Sequence, residues 1–134
     1  MKKGFEDSQK STFSYWFAHW CAFQLTALVL HVWKIKYLFH DIEKPWLKLF
    51  LPYSKVKKLH REHSKHHLEY GKIHGYRNVD WEALCIDWEC SRFTKISQPL
   101  NARENAEKYL KKPDLSIHYA IQMYCLPMLD KLNL

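Results

Sequence analysis

The chain has 134 residues, 47% hydrophobic and 16% aromatic, which excludes a disordered polar segment and gives one domain enough apolar surface for a core. With 3 Gly and 5 Pro it lacks the turn residues of an all-β fold and the glycine-rich loop of a Rossmann-type nucleotide binder, so helices should dominate. Its net charge of +7 attracts anions such as nucleotides; the lysines are scattered rather than massed in one arm, so there is no firm nucleic-acid signal.

Residues 1–10 are polar and predicted to be frayed. Ser11, Thr12 or Ser14 can cap a first helix running to about Lys36, a run with room for two helices because neither Gly nor Pro marks a break. Residues 11–33 carry no Asp, Glu, Lys or Arg, long enough to cross a bilayer. His19, Gln24, Thr26 and His31 interrupt the run, which favours a helix at the centre of a small bundle over a membrane span. Glu6 and Asp7 before it, and the lack of a small-residue cleavage site after it, argue against a signal peptide.

A helix carrying Tyr37 to Lys44 follows; Pro45 opens or kinks the next segment, and Pro52 ends the apolar stretch after it. A Lys- and His-rich helix is predicted from Tyr53 to Tyr70, then a loop around Gly71, Gly75 and Asn78. Asp80 is a suitable N-cap for a helix from Trp81 to about Lys95. After a break at 97–101, a charged helix over 102–112 is stopped by Pro113. Asp114 or Ser116 then caps a last amphipathic helix from Ile117 to about Leu132, with Pro127 a candidate kink. The reading is all-α: a single domain over 1–134 with about five to six helices. Cys21, Cys85, Cys90 and Cys125 form no C-x-x-C pair and read as reduced, buried thiols of a cytoplasmic protein.

The most informative residues are the adjacent His40 and Asp41. His19 lies about twenty residues upstream, His60, His63, His66 and His67 about twenty downstream, and Asp87 beyond. A buried Asp needs a cation or hydrogen-bonding partner, and a divalent metal would supply one. If the helix through the cluster is continuous, His60, His63 and His67 share a face; alternatively Ser64 caps a new helix that presents His66 and His67. His63 and His74 are the members expected to be solvated, and His118 is read as core or surface.

The order H…HD…H…HH…D, from His19 to about Arg92, resembles the HD-domain metal-dependent phosphohydrolases. The strings Leu38-Phe39-His40-Asp41-Ile42-Glu43-Lys44 and Cys85-Ile86-Asp87-Trp88 resemble more closely a small bacterial and phage HD-like family of unknown function. The chain departs from it at Glu43-Lys44-Pro45-Trp46, where small polar residues are commoner, and at Leu68, where an aromatic is expected. The resemblance implies an HD-like helical bundle whose metal ligands are His19, His40, Asp41 and Asp87. His31 competes with His19, but stands only nine residues before His40, little room for a helix, a turn and a second helix. It also implies one or two divalent ions, Mn, Fe, Co, Ni or Zn, with the histidine block serving a second ion or the substrate phosphate.

The implied activity is hydrolysis of a small phosphorylated molecule, a nucleotide first among candidates, by metal-activated water. Lys44, at i+4 from His40, is read as a phosphate ligand; Arg92, Arg61 and Lys95 are further candidates, and Ser91 lies at i+4 from Asp87. His60, His66 and His67 supply a protonated imidazole for the leaving oxygen, while Glu43, at i+2 from Asp41, should point away from it. The alternative is a non-catalytic HD-derived module that binds a nucleotide or a protein. Oligomeric state is left open.

Overall fold

The computed structural model describes residues 12–94 and 100–134. The expected fraying of 1–10, the cap at Ser11 and the phosphate candidate Lys95 lie outside the described residues. Within them the chain is all-helical, as its composition predicts, but divided into more rods than the five to six expected.

The first helix, α1 (Phe13–Val29), is capped by Thr12, whose hydroxyl accepts from the Tyr15 amide. It stops well before Lys36. The His31 amide donates to the Leu28 carbonyl and the Val32 amide to that of Ala27, with His31 left-handed at φ 61°. This is a Schellman closure, a position usually given to Gly, so no Gly or Pro announces the break. The central position expected for α1 goes elsewhere. His19, Phe23, Gln24 and Ala27 are buried, while Phe13, Phe17, Leu25, Leu28 and Val29 are exposed. No described helix is long and apolar enough to cross a membrane.

A 3₁₀ turn (Ile35–Phe39) leads to α2 (Glu43–Lys48), and α3 (Tyr53–His63) follows. The continuous helix expected over 37–44 is therefore interrupted at residues 40–42. Pro45 sits in the first turn of α2, where its missing N–H is not needed. The chain also breaks at Ser64 before α4 (Leu68–His74), so the expected single helix to Tyr70 is two. Gly71, expected in a loop, lies inside α4: a β-carbon there would stand 2.5 Å from Tyr76 and 2.7 Å from Val79. Gly75, at φ 97°, makes the turn.

The centre of the molecule is α5 (Trp81–Ser91), capped by Asp80 and buried along nearly its whole length. One side meets Phe23 and Ala27 of α1 and Tyr37. The other meets α6 (Ala102–Leu110) and the C-terminal rod. Asn101 and Glu104 form a capping box on α6. The rod begins as α7 (Leu115–Ala120), capped by Asp114, passes through a π segment (Ile121–Cys125) and continues as α8 (Leu126–Lys131). Pro127, which cannot donate to a carbonyl four residues back, is absorbed by that π segment.

Candidate metal centre

Three side chains spaced four apart on α1 shape the segment that bears His40 and Asp41. Trp16 Nε1 donates to the Asp41 carbonyl at 2.8 Å, Trp20 Nε1 to that of Leu38 at 3.0 Å, and the Gln24 amide to that of Tyr37. From the other side, Lys34 and the Tyr37 hydroxyl reach Glu82, and Lys36 reaches Asp80, tying the 3₁₀ turn to the start of α5. Held at both flanks, the chain turns at Asp41 in the left-handed region, φ 56°. That conformation costs an ordinary side chain roughly 1–3 kcal/mol. Successive helical residues diverge by about 100°; the turn instead brings both side chains inward.

His19 from α1, His40 and Asp41 from the turn, and Asp87 from α5 meet in the interior, each at most 9% exposed. His19 Nε2 lies 2.8 Å from Asp87 Oδ1 and 3.6 Å from Asp41 Oδ2. His40 Nε2 lies 3.1 Å from Asp87 Oδ1, 3.4 Å from Asp41 Oδ2 and 3.4 Å from His19 Nε2. Donors sharing one ion at about 2.0–2.2 Å stand roughly 2.8–3.6 Å apart, so this set fits a cation. The Phe23 ring stacks on His40 with centroids 3.7 Å apart, and Tyr15 lies parallel to His19.

A second group forms on the other oxygen of Asp41. His60 Nε2 is 2.8 Å and His66 Nε2 3.1 Å from Asp41 Oδ1, and His67 completes the set. These four atoms are buried, yet none makes a directed hydrogen bond. A cation at their common focus would give all four a partner. The break after α3 makes this possible, although neither arrangement open from sequence is met: Ser64 closes α3 instead of capping a new helix, His66 lies in the loop, and His67 stands at the N-cap position of α4.

Burial would raise the carboxyl pKa of Asp41 and Asp87, but the imidazoles around both, and Lys44 beside Asp41, hold them well below the usual range. Burial lowers His40 to about 4 despite Asp41, and holds His67 well below its ordinary value. Both imidazoles thus stay neutral near pH 7, with lone pairs free for a ligand bond. His60 is raised, because Asp41 and Glu43 outweigh its burial. Lys44 is raised as well: burial opposes its charge, but Asp41, Tyr53 and Asp87 prevail. Its Nζ stands 3.4 Å from Asp41 Oδ2.

Other expected residues fall elsewhere. Arg92, the residue at the C-cap of α5, pairs with Glu89 at 3.2 Å and lies over the Phe93 ring. His31, His63 and His74 are exposed, and His118 meets the Lys112 carbonyl. Glu43, expected to point away, hydrogen-bonds His60 Nδ1, because the chain is not helical between it and Asp41. Ser91 donates to the Asp87 carbonyl at 2.7 Å. Sequence reasoning missed Tyr15, Trp16 and Phe23, although helical spacing from His19 puts all three on its face.

Two clefts reach the donors. One, of about 280 Å³, is mainly apolar, walled by aromatic residues of α1 and by Leu49, Tyr53 and Val56. The other, of about 310 Å³, is polar and basic, and runs between α3, α5 and α6. No protein family matches this chain, and no curated protein or solved structure is significantly similar to it. What is established is an all-α fold over the described residues, with His and Asp side chains gathered closely enough that they could hold a metal ion.

Proposed function

We propose that this chain is a metal-dependent phosphohydrolase of the HD type, acting on a small phosphorylated substrate, a nucleotide first among candidates. The observation that carries the reading is Asp41, whose two carboxylate oxygens face two separate donor groups. The chain order of those donors supports it.

In this reading His19, His40, Asp41 and Asp87 hold one divalent ion. His60, His66 and His67 serve a second ion with Asp41, or the phosphate itself. Mixed nitrogen and carboxylate donors suit Mn²⁺, Fe²⁺, Co²⁺, Ni²⁺ or Zn²⁺. Such an ion, when bound, lowers the pKa of water and offsets charge on a phosphate.

The protein's own groups do the rest. Glu43 accepts the proton on His60 Nδ1, which fixes the ring with Nε2 directed toward Asp41, where an ion or a phosphate would meet it. Lys44, cationic and beside Asp41, is placed to hold a non-bridging phosphate oxygen. The Tyr15 hydroxyl, which like any phenol keeps its proton at neutral pH, lines both clefts and can donate to substrate.

Metal analysis of protein purified without chelator, with Mn²⁺-dependent phosphate release from a panel of phosphoesters, tests the reading. His40→Ala and Asp41→Ala should lose bound metal and lower kcat/KM by about 10²-fold or more while keeping the helical spectrum. Lys44→Ala should keep the metal and raise KM about tenfold. Full hydrolysis by Asp41→Ala would refute the assignment. Bound metal without any phosphate release would favour the non-catalytic binding module.

A further inference from the structure

The two clefts at the donors differ in chemistry. Phe13, Tyr15, Trp16 and Tyr53 line the first, with Leu49 and Val56. Trp16 is fixed by its bond to the Asp41 carbonyl, and Tyr15 by its parallel packing on His19. The second cleft gathers Lys44, Lys57, Arg61 and Lys108; beyond Asp41 and Asp87 its acidic lining is Glu69. Tyr15, His19, Asp41, Lys44 and Tyr53 line both, so a molecule that spans the clefts passes over the donor cluster.

Resting on the phosphohydrolase reading, we propose that the substrate is a nucleoside triphosphate. Its ring occupies the aromatic cleft, its β- and γ-phosphates the basic one, and its α-phosphorus lies at the donors. A monophosphate would leave most of the basic cleft unused, and a ring-free polyphosphate would leave the aromatic one empty. Both cavities lie near the lower end of the range of about 300–1,000 Å³ typical of ligand sites. Each therefore accommodates one part of such a molecule and not the whole.

This placement selects the bond. The oxygen of water bonds to the α-phosphorus, and the bond from that phosphorus to the α–β bridging oxygen breaks. The electron pair leaves on pyrophosphate, and the water's proton passes to solvent. Pyrophosphate is a better leaving group than the ribose alkoxide, and its new charge develops among the four cations. The products are a nucleoside monophosphate and pyrophosphate.

The test compares ATP, AMP, inorganic tripolyphosphate and bis(p-nitrophenyl) phosphate under Mn²⁺, with products resolved by ³¹P NMR. The last compound carries rings but no further phosphate. ATP should exceed AMP and tripolyphosphate in kcat/KM by about tenfold or more and yield AMP and pyrophosphate. Arg61→Ala and Lys108→Ala should each lower the ratio of ATP to bis(p-nitrophenyl) phosphate efficiency about tenfold. Both should also weaken calorimetric binding of the α,β-methylene analogue of ATP by a similar factor. Equal turnover of AMP, equal turnover of tripolyphosphate, orthophosphate as first product, or unchanged ratios would overturn the proposal. If bis(p-nitrophenyl) phosphate is still hydrolysed, the phosphohydrolase reading survives that failure; if nothing is hydrolysed, both fall.

Discussion

His40 and Asp41 are next to each other in the chain but titrate under different constraints. In chelator-treated protein His40 takes up its proton near pH 4 in the fold, against an ordinary 6.5. The unfolded chain therefore binds that proton first, and stability present above pH 6.5 is lost as pH falls toward 4. His67 acts in the same direction. His60 acts oppositely: its contribution is fully present below 6.5 and fades as pH rises through its raised folded value. Asp41 and Asp87, both depressed, hold their contribution until pH falls below the usual carboxylate range. Two imidazoles outweigh one, so metal-free protein should melt at lower temperature at pH 5 than at pH 7. His40→Gln should flatten that dependence; thermal melts in chelator across the interval check both.

At the level of elements, α1 acts as a clamp on the turn. Trp16→Phe removes one of its three donors while keeping an aromatic ring, and should weaken metal affinity about tenfold, measured by competition with a chromogenic chelator. In α4, Gly71→Ala adds a methyl group where Tyr76 and Val79 already stand. The overpacking costs about 1–3 kcal/mol, partly offset by up to about 1 kcal/mol of helix propensity. A fall in Tm of a few degrees is expected.

Much of this was legible in the sequence. Thr12, Asp80 and Asp114 cap helices because short polar side chains precede apolar runs, and the order of His and Asp anticipated which buried groups would meet. The breaks at His31 and Asp41 were not legible. His31 closes α1 by backbone hydrogen bonds that leave no residue signature, and Asp41 enters the left-handed region because tertiary bonds hold both flanks. With the helix over 37–44 gone, the i+4 argument for Lys44 no longer applies. Its amine reaches the site anyway, through the first turn of α2. The same break turned Glu43 toward His60, whereas the pairing of Arg92 with Glu89 one helical turn back is the contact that i,i+3 spacing offers.

For the whole molecule, α5 divides the interior: Leu84 and Cys85 face the cluster with α6 and the C-terminal rod, while Ile86 and Cys90 face α1 and Tyr37. The donor groups draw on α1, the turn, α3, the loop leading into α4 and α5, so a bound cation joins elements far apart in sequence. Metal at about 100 times its Kd should stabilise the fold by about 2.7 kcal/mol, and Asp41→Ala should abolish that increment in Mn²⁺-dependent melts. The same architecture has an optical consequence. The indoles of Trp16 and Trp20 are hydrogen-bonded to the backbone that carries His40 and Asp41. The protein thereby contains an intrinsic reporter: loading the centre should alter tryptophan emission without any attached label, and the signal should shrink when residue 16 is phenylalanine.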